Sequence, residues 1–475
     1  MERLLYIGGD WRPARDGATV AVSDPATGGA AGTTAVAGER DLDDAVVAAA
    51  TSEWGEVAVD ERAQILRRAG DLLDDRVDEI AVVLTREQGK PVPDSAKEIR
   101  FAAEVLRYYA EEGRRVWGTL RPSVRRDVKS IVSYAPLGPV AAIVPWNYPV
   151  DLYAWKVAPA LAAGCPVVAK PPLDAPLATA LVVQALADAG LPAGALADLP
   201  GPGDLGRALV SHPGIAAVTA TASTATGQSI MAAAAPTLKR LSLELGGQTP
   251  FVVLDDADLE DAAAAAVRRS FSNMGQICIA VNRVLVAEPR HDEFVEAVTE
   301  RTKALRIGNG LDDGIEYGPV FDATVVEKTL RHVRDAVERG ARVTTGGDRL
   351  EALGDLYLAP AVLDAVPAGA AVMNEETFGP VLPVATGRTD TELLELVNAL
   401  PYGLAAYVYS GDLERAWAFA DRVEAGAVGI NVNDVTELQA PFGGWKLSGG
   451  GRDLGPEGLQ TFLQTKHVRA RVRPL

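Results

Sequence analysis

Cysteine is scarce in this chain, and its two copies, Cys165 and Cys278, lie far apart. This scarcity argues against a disulfide framework and fits a reducing cytoplasm. No uncharged apolar run reaches the roughly 18 residues that a membrane-spanning helix needs, so no such helix is predicted. Residues 1–6 also lack a basic region before an apolar core, so we expect no signal peptide and a cytoplasmic location.

Basic residues are too few for a nucleic-acid binder. The chain has 46 Lys and Arg against 64 Asp and Glu, a formal net charge of −18, which also disfavours anionic membrane surfaces. We therefore predict neither nucleic acid nor membrane as a partner. We also predict no metal site. A length of 475 residues exceeds what one core usually serves, so two or more domains are expected.

The order of apolar runs predicts an α/β fold. Residues 39–113 have helical patterns, and residues 124–135 alternate as a strand. From Val140 onward, short apolar runs are each followed by a helix-like segment, which is typical of a mostly parallel sheet. After Glu244 the alternation begins again and indicates a second α/β domain, with a strand at 282–288, helices at 291–305 and 322–339, and a strand at 341–345.

A glycine-rich segment, Gly201 to Gly206, matches the dinucleotide-binding pattern G-x-G-x-x-G. That motif also needs an acidic residue about 20 positions on, to hold the ribose hydroxyls. No Asp or Glu occurs between Asp204 and Glu244. The segment is therefore interpreted as a glycine-rich turn near a nucleotide rather than as the standard motif.

Three side chains could perform acyl chemistry at an aldehyde carbon. Cys278 would be the nucleophile, Glu244 the base for water, and Asn147 the oxyanion donor. Cys278 could instead be a small core residue, but the preceding Gly275 and Gln276 favour a turn whose backbone amides face the sulfur. Glu244 could simply end a strand; the glycine pair that follows it favours a functional role.

Two further segments leave alternatives open. Lys170 ends an apolar strand, where open α/β sheets bind ligands, yet a solvated lysine fits the same position. The acidic run at Glu375 and Glu376 could be a helix start or a turn, although the nearby Phe378 is unusual for a solvated face. Cys165 is interpreted as a core residue.

Five segments resemble the aldehyde dehydrogenase superfamily in sequence and order. They are Pro145-Trp146-Asn147-Tyr148-Pro149, Glu244-Leu245-Gly246-Gly247, Gly275-Gln276-Ile277-Cys278, Glu375-Glu376-Thr377-Phe378-Gly379-Pro380 and Pro441-Phe442-Gly443-Gly444-Trp445-Lys446. The resemblance implies two doubly wound α/β domains plus a small β oligomerisation unit, and a homodimer or homotetramer. The implied limits are 1–122 and 143–245 for nucleotide binding, 246–445 for catalysis, and 123–142 with 446–475 for oligomerisation.

The resemblance also implies roles for individual residues. Cys278, Glu244 and Asn147 take the catalytic positions, with the Cys278 backbone amide beside Asn147 in the oxyanion hole. The implied cofactor is NAD or NADP. Glu376 and Phe378 would contact its nicotinamide half, Ser223 its pyrophosphate and Lys170 its adenosine ribose. Ile143 and Trp146 would line the wall of the cofactor cleft. Leu173 stands where NAD-preferring members have a ribose-binding glutamate, so NADP becomes plausible.

The implied substrate tunnel is aromatic and carries one carboxylate. Its residues would be Phe101, Tyr148, Asp151, Trp155, Ser272, Thr436 and Phe442. Such walls suit an aromatic aldehyde, or one bearing an amine or hydroxyl. A succinate-semialdehyde-type enzyme is an alternative, weakened because Trp155 replaces an arginine. A CoA-acylating enzyme, disfavoured by Glu244, and a non-catalytic binding protein are the others.

Overall fold

The computed structural model describes residues 1–472. The chain begins with five short strands: β1 (Glu2–Arg3), β2 (Leu5–Ile7), β3 (Asp10–Arg12), β4 (Thr19–Ser23) and β5 (Ala30–Ala35). Four helices follow: α1 (Glu39–Ala50), α2 (Val59–Asp75), α3 (Val77–Gln88) and α4 (Val92–Gly113). Acidic residues in the first turn of α1 oppose the positive end of the helix dipole, and the helices predicted across 39–113 are confirmed.

The middle of the chain alternates strands with helices. Its elements are β6 (Thr119–Arg121), β7 (Val128–Pro136), β8 (Val140–Ile143), α5 (Pro149–Ala163), β9 (Val167–Lys170), α6 (Leu177–Asp188), β10 (Leu196–Asp198), α7 (Gly203–Ser211), β11 (Ala217–Thr221), α8 (Thr224–Ala234) and β12 (Arg240–Glu244). The strand predicted at 124–135 therefore starts four residues later, at Val128.

The remaining elements repeat this alternation. They are β13 (Thr249–Val253), α9 (Leu259–Phe271), β14 (Val281–Ala287), α10 (His291–Lys303), α11 (Ala323–Glu338), β15 (Arg342–Thr345), β16 (Ala361–Asp364), α12 (Ala371–Asn374), β17 (Val381–Gly387), α13 (Asp390–Asn398), β18 (Tyr402–Gly403), β19 (Ala405–Tyr409), α14 (Leu413–Ala420), β20 (Ala427–Ile430), β21 (Trp445–Lys446), β22 (Gly449–Gly450), α15 (Gly455–Gln460) and β23 (Leu463–Arg471).

The first large sheet has the order β22-β12-β11-β8-β9-β10-β2-β3, and its five central strands are parallel. Alternate residues of β8 face two different cores, since Val140 and Ala142 pack on one side and Ala141 on the other. Chain order reverses between β8 and β11. Ligands of open α/β sheets bind at the carboxyl ends of the strands near such a reversal, so a site is expected there.

The second sheet has the order β15-β16-β17-β14-β13-β19-β20 and is parallel except for β15. It too is covered on both faces, because Val252 packs into one core and Val253 into another. A third, antiparallel sheet joins β6, β7 and β23. The predicted α/β class, with two doubly wound sheets and a small β unit, is confirmed.

The division into domains stays a prediction. One detail differs from the predicted limits: Gly449 and Gly450 of β22 pair with β12, so the beginning of segment 446–475 extends the first large sheet. None of the helices within residues 1–472 combines the length and apolar character needed to cross a membrane.

Candidate active site

Three cavities lie along the carboxyl ends of the parallel strands. The Trp155 cavity, lined by Trp155, Asp151 and Phe442 among others, has a volume of about 440 Å³. The Trp146 cavity, lined by Trp146 and Glu376 among others, has about 380 Å³. Cys278 and Asn147 line both cavities, so the thiol can be reached from two sides.

Cys278 follows a left-handed turn. Asn273 and Met274 have φ values of 47° and 57°, and Gly275 has a φ of 76°. A Cβ on Gly275 would lie 2.3 Å from the carbonyl oxygen of Gly379, so only glycine fits there. Each non-glycine residue in this conformation costs about 1–2 kcal/mol, so surrounding contacts must hold the turn in place.

Burial, together with smaller contributions from Glu376 and Glu244, raises the pKa of the Cys278 thiol to about 12. The backbone amides of Cys278 and Ile279 donate to the sulfur and act in the opposite direction, as the sequence predicted for this turn. The resting side chain is therefore a neutral thiol, and catalysis needs a group that accepts its proton.

Asn147 is buried, and both its side-chain amide and its backbone carbonyl are hydrogen-bonded. Its Nδ2 donates to the Gln276 carbonyl at 2.9 Å, which leaves the second hydrogen of the amide free for another acceptor. The backbone carbonyl of Asn147 accepts from Lys90 Nζ at 2.7 Å and from Asn273 Nδ2 at 3.1 Å. Lys90 also forms a buried ion pair with Glu98. These contacts fix the amide beside the sulfur.

Glu244 ends β12 and lies outside both cavities. Neither of its carboxyl oxygens has a hydrogen-bond partner within residues 1–472. Burial and the negative charge of Asp453 raise its pKa well above the usual range. Asp453 itself pairs with Lys156 at 2.7 Å. The raised pKa favours the neutral carboxyl, which must ionise before it can act as a base.

The Trp146 cavity has an aromatic wall. Trp146 stacks on Phe321 with ring centroids 4.1 Å apart and an interplanar angle of 8°. Phe378 meets the Trp146 ring edge-on at 5.6 Å. Phe321 was not predicted from the sequence, because it comes from a loop with no motif around it.

Polar groups of the Trp146 cavity can bind the hydroxyl and phosphate groups of a dinucleotide. Glu376 accepts from the Gly247 amide at 3.2 Å, and burial raises its pKa to about 7. The Thr221 hydroxyl is buried without a partner in the described chain, so it can bond a ligand. Lys328, another residue that sequence reasoning missed, adds a positive charge near Glu376.

A third cavity, the Lys170 cavity, has about 320 Å³ and is lined by Lys170, Ile143 and Arg207 among others. A Cβ on Gly206 would lie 3.3 Å from the Lys170 side chain, so the glycine-rich turn lets the lysine lie against α7. Leu173 is half-buried and does not appear among the described residues that line this cavity. The structure thus gives no support to its predicted place at the ribose.

The N-terminus of α8 lies between the Trp146 and Lys170 cavities. Ser223 caps this helix by accepting from the Thr226 amide at 3.2 Å, and the two residues line different cavities. Free amides and the dipole at a helix N-terminus favour anions, so a pyrophosphate fits between the cavities. This arrangement can hold both halves of a dinucleotide.

The Trp155 cavity contains every predicted tunnel residue: Phe101, Tyr148, Asp151, Trp155, Ser272, Thr436 and Phe442. Trp155 packs against Phe101 and Phe442 with ring centroids 6.3 Å and 5.2 Å away. Its indole nitrogen donates to Asp151 at 2.9 Å. Burial and the neighbouring Glu98 raise the Asp151 pKa well above its usual range.

Two cations of this cavity are already paired. Arg269, which the sequence did not single out, is buried and contacts Asp434 at 2.6 Å. Lys97 at the exposed mouth contacts Asp94 at 2.9 Å. Asp151 forms no salt bridge within the described residues. The cavity therefore has one half-buried carboxyl group without an ionic partner, that of Asp151.

Comparisons with known proteins indicate one family over nearly the whole chain. Residues 11–468 match the model of the aldehyde dehydrogenase family. The NADP(+)-dependent succinate-semialdehyde dehydrogenase of Escherichia coli is 38% identical over 97% of this chain and 96% of its own.

Two solved structures are similar throughout. Succinate-semialdehyde dehydrogenase from Burkholderia pseudomallei has a TM-score of 0.97 and 40% identity, covering 99% of this chain and 98% of its own. Betaine aldehyde dehydrogenase from Staphylococcus aureus, solved in complex with NAD+, has a TM-score of 0.96 and 32% identity, covering 100% and 95%. With a matching family model, whole-length relatives and the same fold, the chain belongs to the aldehyde dehydrogenase family.

Proposed function

We propose that this chain oxidises an aldehyde to a carboxylic acid with NAD or NADP through a thioester on Cys278. The observation that carries the proposal is that Cys278 and Asn147 are common to the Trp155 and Trp146 cavities. A substrate in one cavity and a nicotinamide in the other would meet at one sulfur. Bound in the Trp146 cavity, the dinucleotide supplies the hydride acceptor.

The protein's own groups perform the remaining steps. Cys278 gives its proton to solvent water and its sulfur adds to the carbonyl carbon, while the free hydrogen of the Asn147 amide stabilises the oxyanion. After hydride departure, the substrate is a thioester. Glu244 then takes a proton from water, the hydroxide adds to the thioester, and the acid leaves as Cys278 is regenerated.

An assay with and without CoA tests this reaction. The purified protein should reduce NAD(P)+ in the presence of an aldehyde and release the free acid, because Glu244 is retained as a base for water. Acyl-CoA as the product would favour the acylating alternative. No reduction with any aldehyde would favour a binding protein.

The Lys170 cavity favours NADP. Lys170 and Arg207 both line it, against a single carboxylate, Asp204, and Leu173 stands where NAD-preferring members have a glutamate. Burial lowers the Lys170 pKa to about 8, so the ammonium is protonated below that value. A 2′-phosphate would pair with it. The named Escherichia coli relative supports the same choice.

Replacing Lys170 by methionine should therefore reduce kcat/KM with NADP by about tenfold and leave NAD within about twofold, because only NADP carries the extra phosphate. The NADP preference of the unmodified protein should also fade as the pH rises through about 8, where Lys170 loses its charge. Initial rates with both cofactors across pH measure this. Equal losses with NAD and NADP would place the ammonium elsewhere.

We propose a polar aliphatic aldehyde, one that bears an amine or hydroxyl, as substrate. Asp151 is the half-buried carboxyl without an ionic partner, and it lies in the Trp155 cavity with the thiol. Burying a cationic or hydroxyl group there is favourable only if the carboxyl bonds it. The predicted aromatic aldehyde finds no support in the names of the relatives, and we do not retain it.

A semialdehyde with a terminal carboxylate is the second candidate. Arg269 lines the same cavity, and relatives named as succinate-semialdehyde dehydrogenases support this class. Arg269 already pairs with Asp434, so a substrate carboxylate would have to compete for it. For this reason the amine or hydroxyl class is preferred.

Replacing Asp151 by leucine should separate the two classes. With an ω-aminoaldehyde, kcat/KM should fall about ten- to a hundredfold, because a charge-assisted hydrogen bond is lost. Hexanal, the matched apolar substrate, should be oxidised at least as well. With the unmodified protein, efficiency on the aminoaldehyde should rise with pH as Asp151 ionises, since burial raises its pKa. An unchanged efficiency with the aminoaldehyde, together with an unchanged or improved efficiency with succinate semialdehyde, would favour the second candidate.

A further inference from the structure

Gln276 is completely buried two positions before the thiol, and none of its polar groups is idle. Its Oε1 accepts from the Phe321 amide at 2.8 Å. Its Nε2 donates to the Asn273 carbonyl at 2.8 Å. Its backbone carbonyl accepts from Asn147 Nδ2 at 2.9 Å. One residue therefore connects three parts of the site.

These contacts hold the turn before Cys278, the Phe321 ring and the Asn147 amide in place. The side-chain bond to Asn273 reinforces a bond of 3.1 Å from the Gln276 backbone amide to the same carbonyl, and together they close the left-handed turn that presents Cys278. The bond to Phe321 fixes the ring that stacks on Trp146 beside the thiol. The bond from Asn147 leaves only one amide hydrogen free and thereby orients it.

The strained turn makes Gln276 more than a packing residue. Asn273 and Met274 hold positive φ values that other contacts must enforce. Without the side-chain bond, only the Gln276 backbone amide holds the Asn273 carbonyl, and the turn can relax toward ordinary φ values. The backbone amides of Cys278 and Ile279 would then move away from the sulfur, and the thiolate would lose their stabilisation.

We propose that Gln276 is a positioning residue that sets the reactive geometry of Cys278 and Asn147. It contacts neither substrate nor cofactor and acts through the turn and through the Asn147 amide. Its importance for turnover rests on the proposed function, whereas its effect on the thiol does not.

The experiment compares Gln276→Leu and Gln276→Glu in a Cys165→Ala background, where Cys278 is the single remaining thiol. Alkylation of Cys278 by iodoacetamide is followed across pH, beside kcat and KM for NADP. Gln248→Leu is the matched control. It also removes a buried amide that donates two hydrogen bonds, to Val372 and Glu375, but it does not touch the turn.

Gln276→Leu should lower kcat by about a hundredfold while KM for NADP stays within about threefold, because misplaced reacting atoms cost that much in rate. The apparent pKa of Cys278 in the alkylation profile should rise. Gln248→Leu should change KM for NADP, since the Gln248 side chain bonds the carbonyl of Glu375, the neighbour of Glu376, and should leave the alkylation profile unchanged.

The Gln276→Glu side chain differs from the original in one heavy atom only. This variant therefore keeps the test possible if Gln276→Leu fails to fold. The protonated carboxyl can still donate to the Asn273 carbonyl, whereas the carboxylate cannot. Its kcat, relative to the unmodified protein, should therefore fall as the pH rises, a dependence that Gln276→Leu lacks.

A Gln276→Leu variant with kcat within about threefold of the unmodified protein and an unchanged alkylation profile would overturn the proposal. Equal slowing of alkylation by Gln248→Leu would also overturn it, because it would indicate general loosening. If the unmodified protein oxidises no aldehyde, the proposed function fails, and the alkylation profiles still decide the role of Gln276.

Discussion

Replacing Cys278 by alanine should abolish aldehyde oxidation and leave the fold and dinucleotide binding intact. The sulfur is the nucleophile of the proposed reaction, and losing a nucleophile usually costs many decades of rate. The change removes little volume from a half-buried position, so stability should change only slightly. The measurements are steady-state rates, dinucleotide binding by fluorescence titration, and thermal unfolding.

Cys165→Ala is the matched control. This thiol is fully buried, donates to the Phe462 carbonyl and lies outside the three cavities of the site. It undergoes the same chemical change and should retain activity. Turnover by the Cys278→Ala variant above about 1% of the unmodified rate would mean that covalent catalysis at this residue is wrong.

Replacing Glu244 by glutamine should spare the first half of the reaction and slow release of the acid. Hydride transfer needs the thiolate and the oxyanion donor, whereas thioester hydrolysis needs a base for water. Rapid mixing should therefore show a burst of NAD(P)H close to the enzyme concentration, followed by a slow steady state.

The pH dependence gives a second test of Glu244. Burial and Asp453 raise its pKa, so the carboxyl is neutral below that pKa and becomes a base only above it. The steady-state rate of the unmodified protein should rise with pH, and the slow phase of Glu244→Gln should lose that dependence. If burst and steady state are slowed equally, Glu244 deprotonates Cys278 instead of water.

The sequence predicted the site wherever function depends on a local segment. Glu244 and Lys170 end parallel strands, and Cys278 follows a glycine turn, so short motifs were enough to indicate each of these positions separately. The α/β class followed from the alternation of apolar runs for the same reason. Strand limits were less exact, as Val128 shows, because tertiary pairing sets where a strand begins.

Residues that reach the site from remote segments could not be predicted. Phe321 and Lys328 come from the region around α11, and nothing in their local sequence indicates that they face Trp146. Arg269 is on a helix whose pattern only predicts burial. Leu173 shows the opposite case: a position inferred from resemblance was placed at the ribose, and the structure does not put it in the cavity wall.

Access to Cys278 from two separate cavities has a practical consequence for chemical labelling. An activity-based probe with an electrophilic warhead could enter through the Trp155 cavity and carry its reporter tag out through the mouth near Lys97. Because the Trp146 cavity would stay empty, the labelled protein should still take up a dinucleotide. Loss of labelling in the presence of a compound would then show that the compound occupies the Trp155 cavity, whereas a ligand of the Trp146 cavity would leave the labelling unchanged.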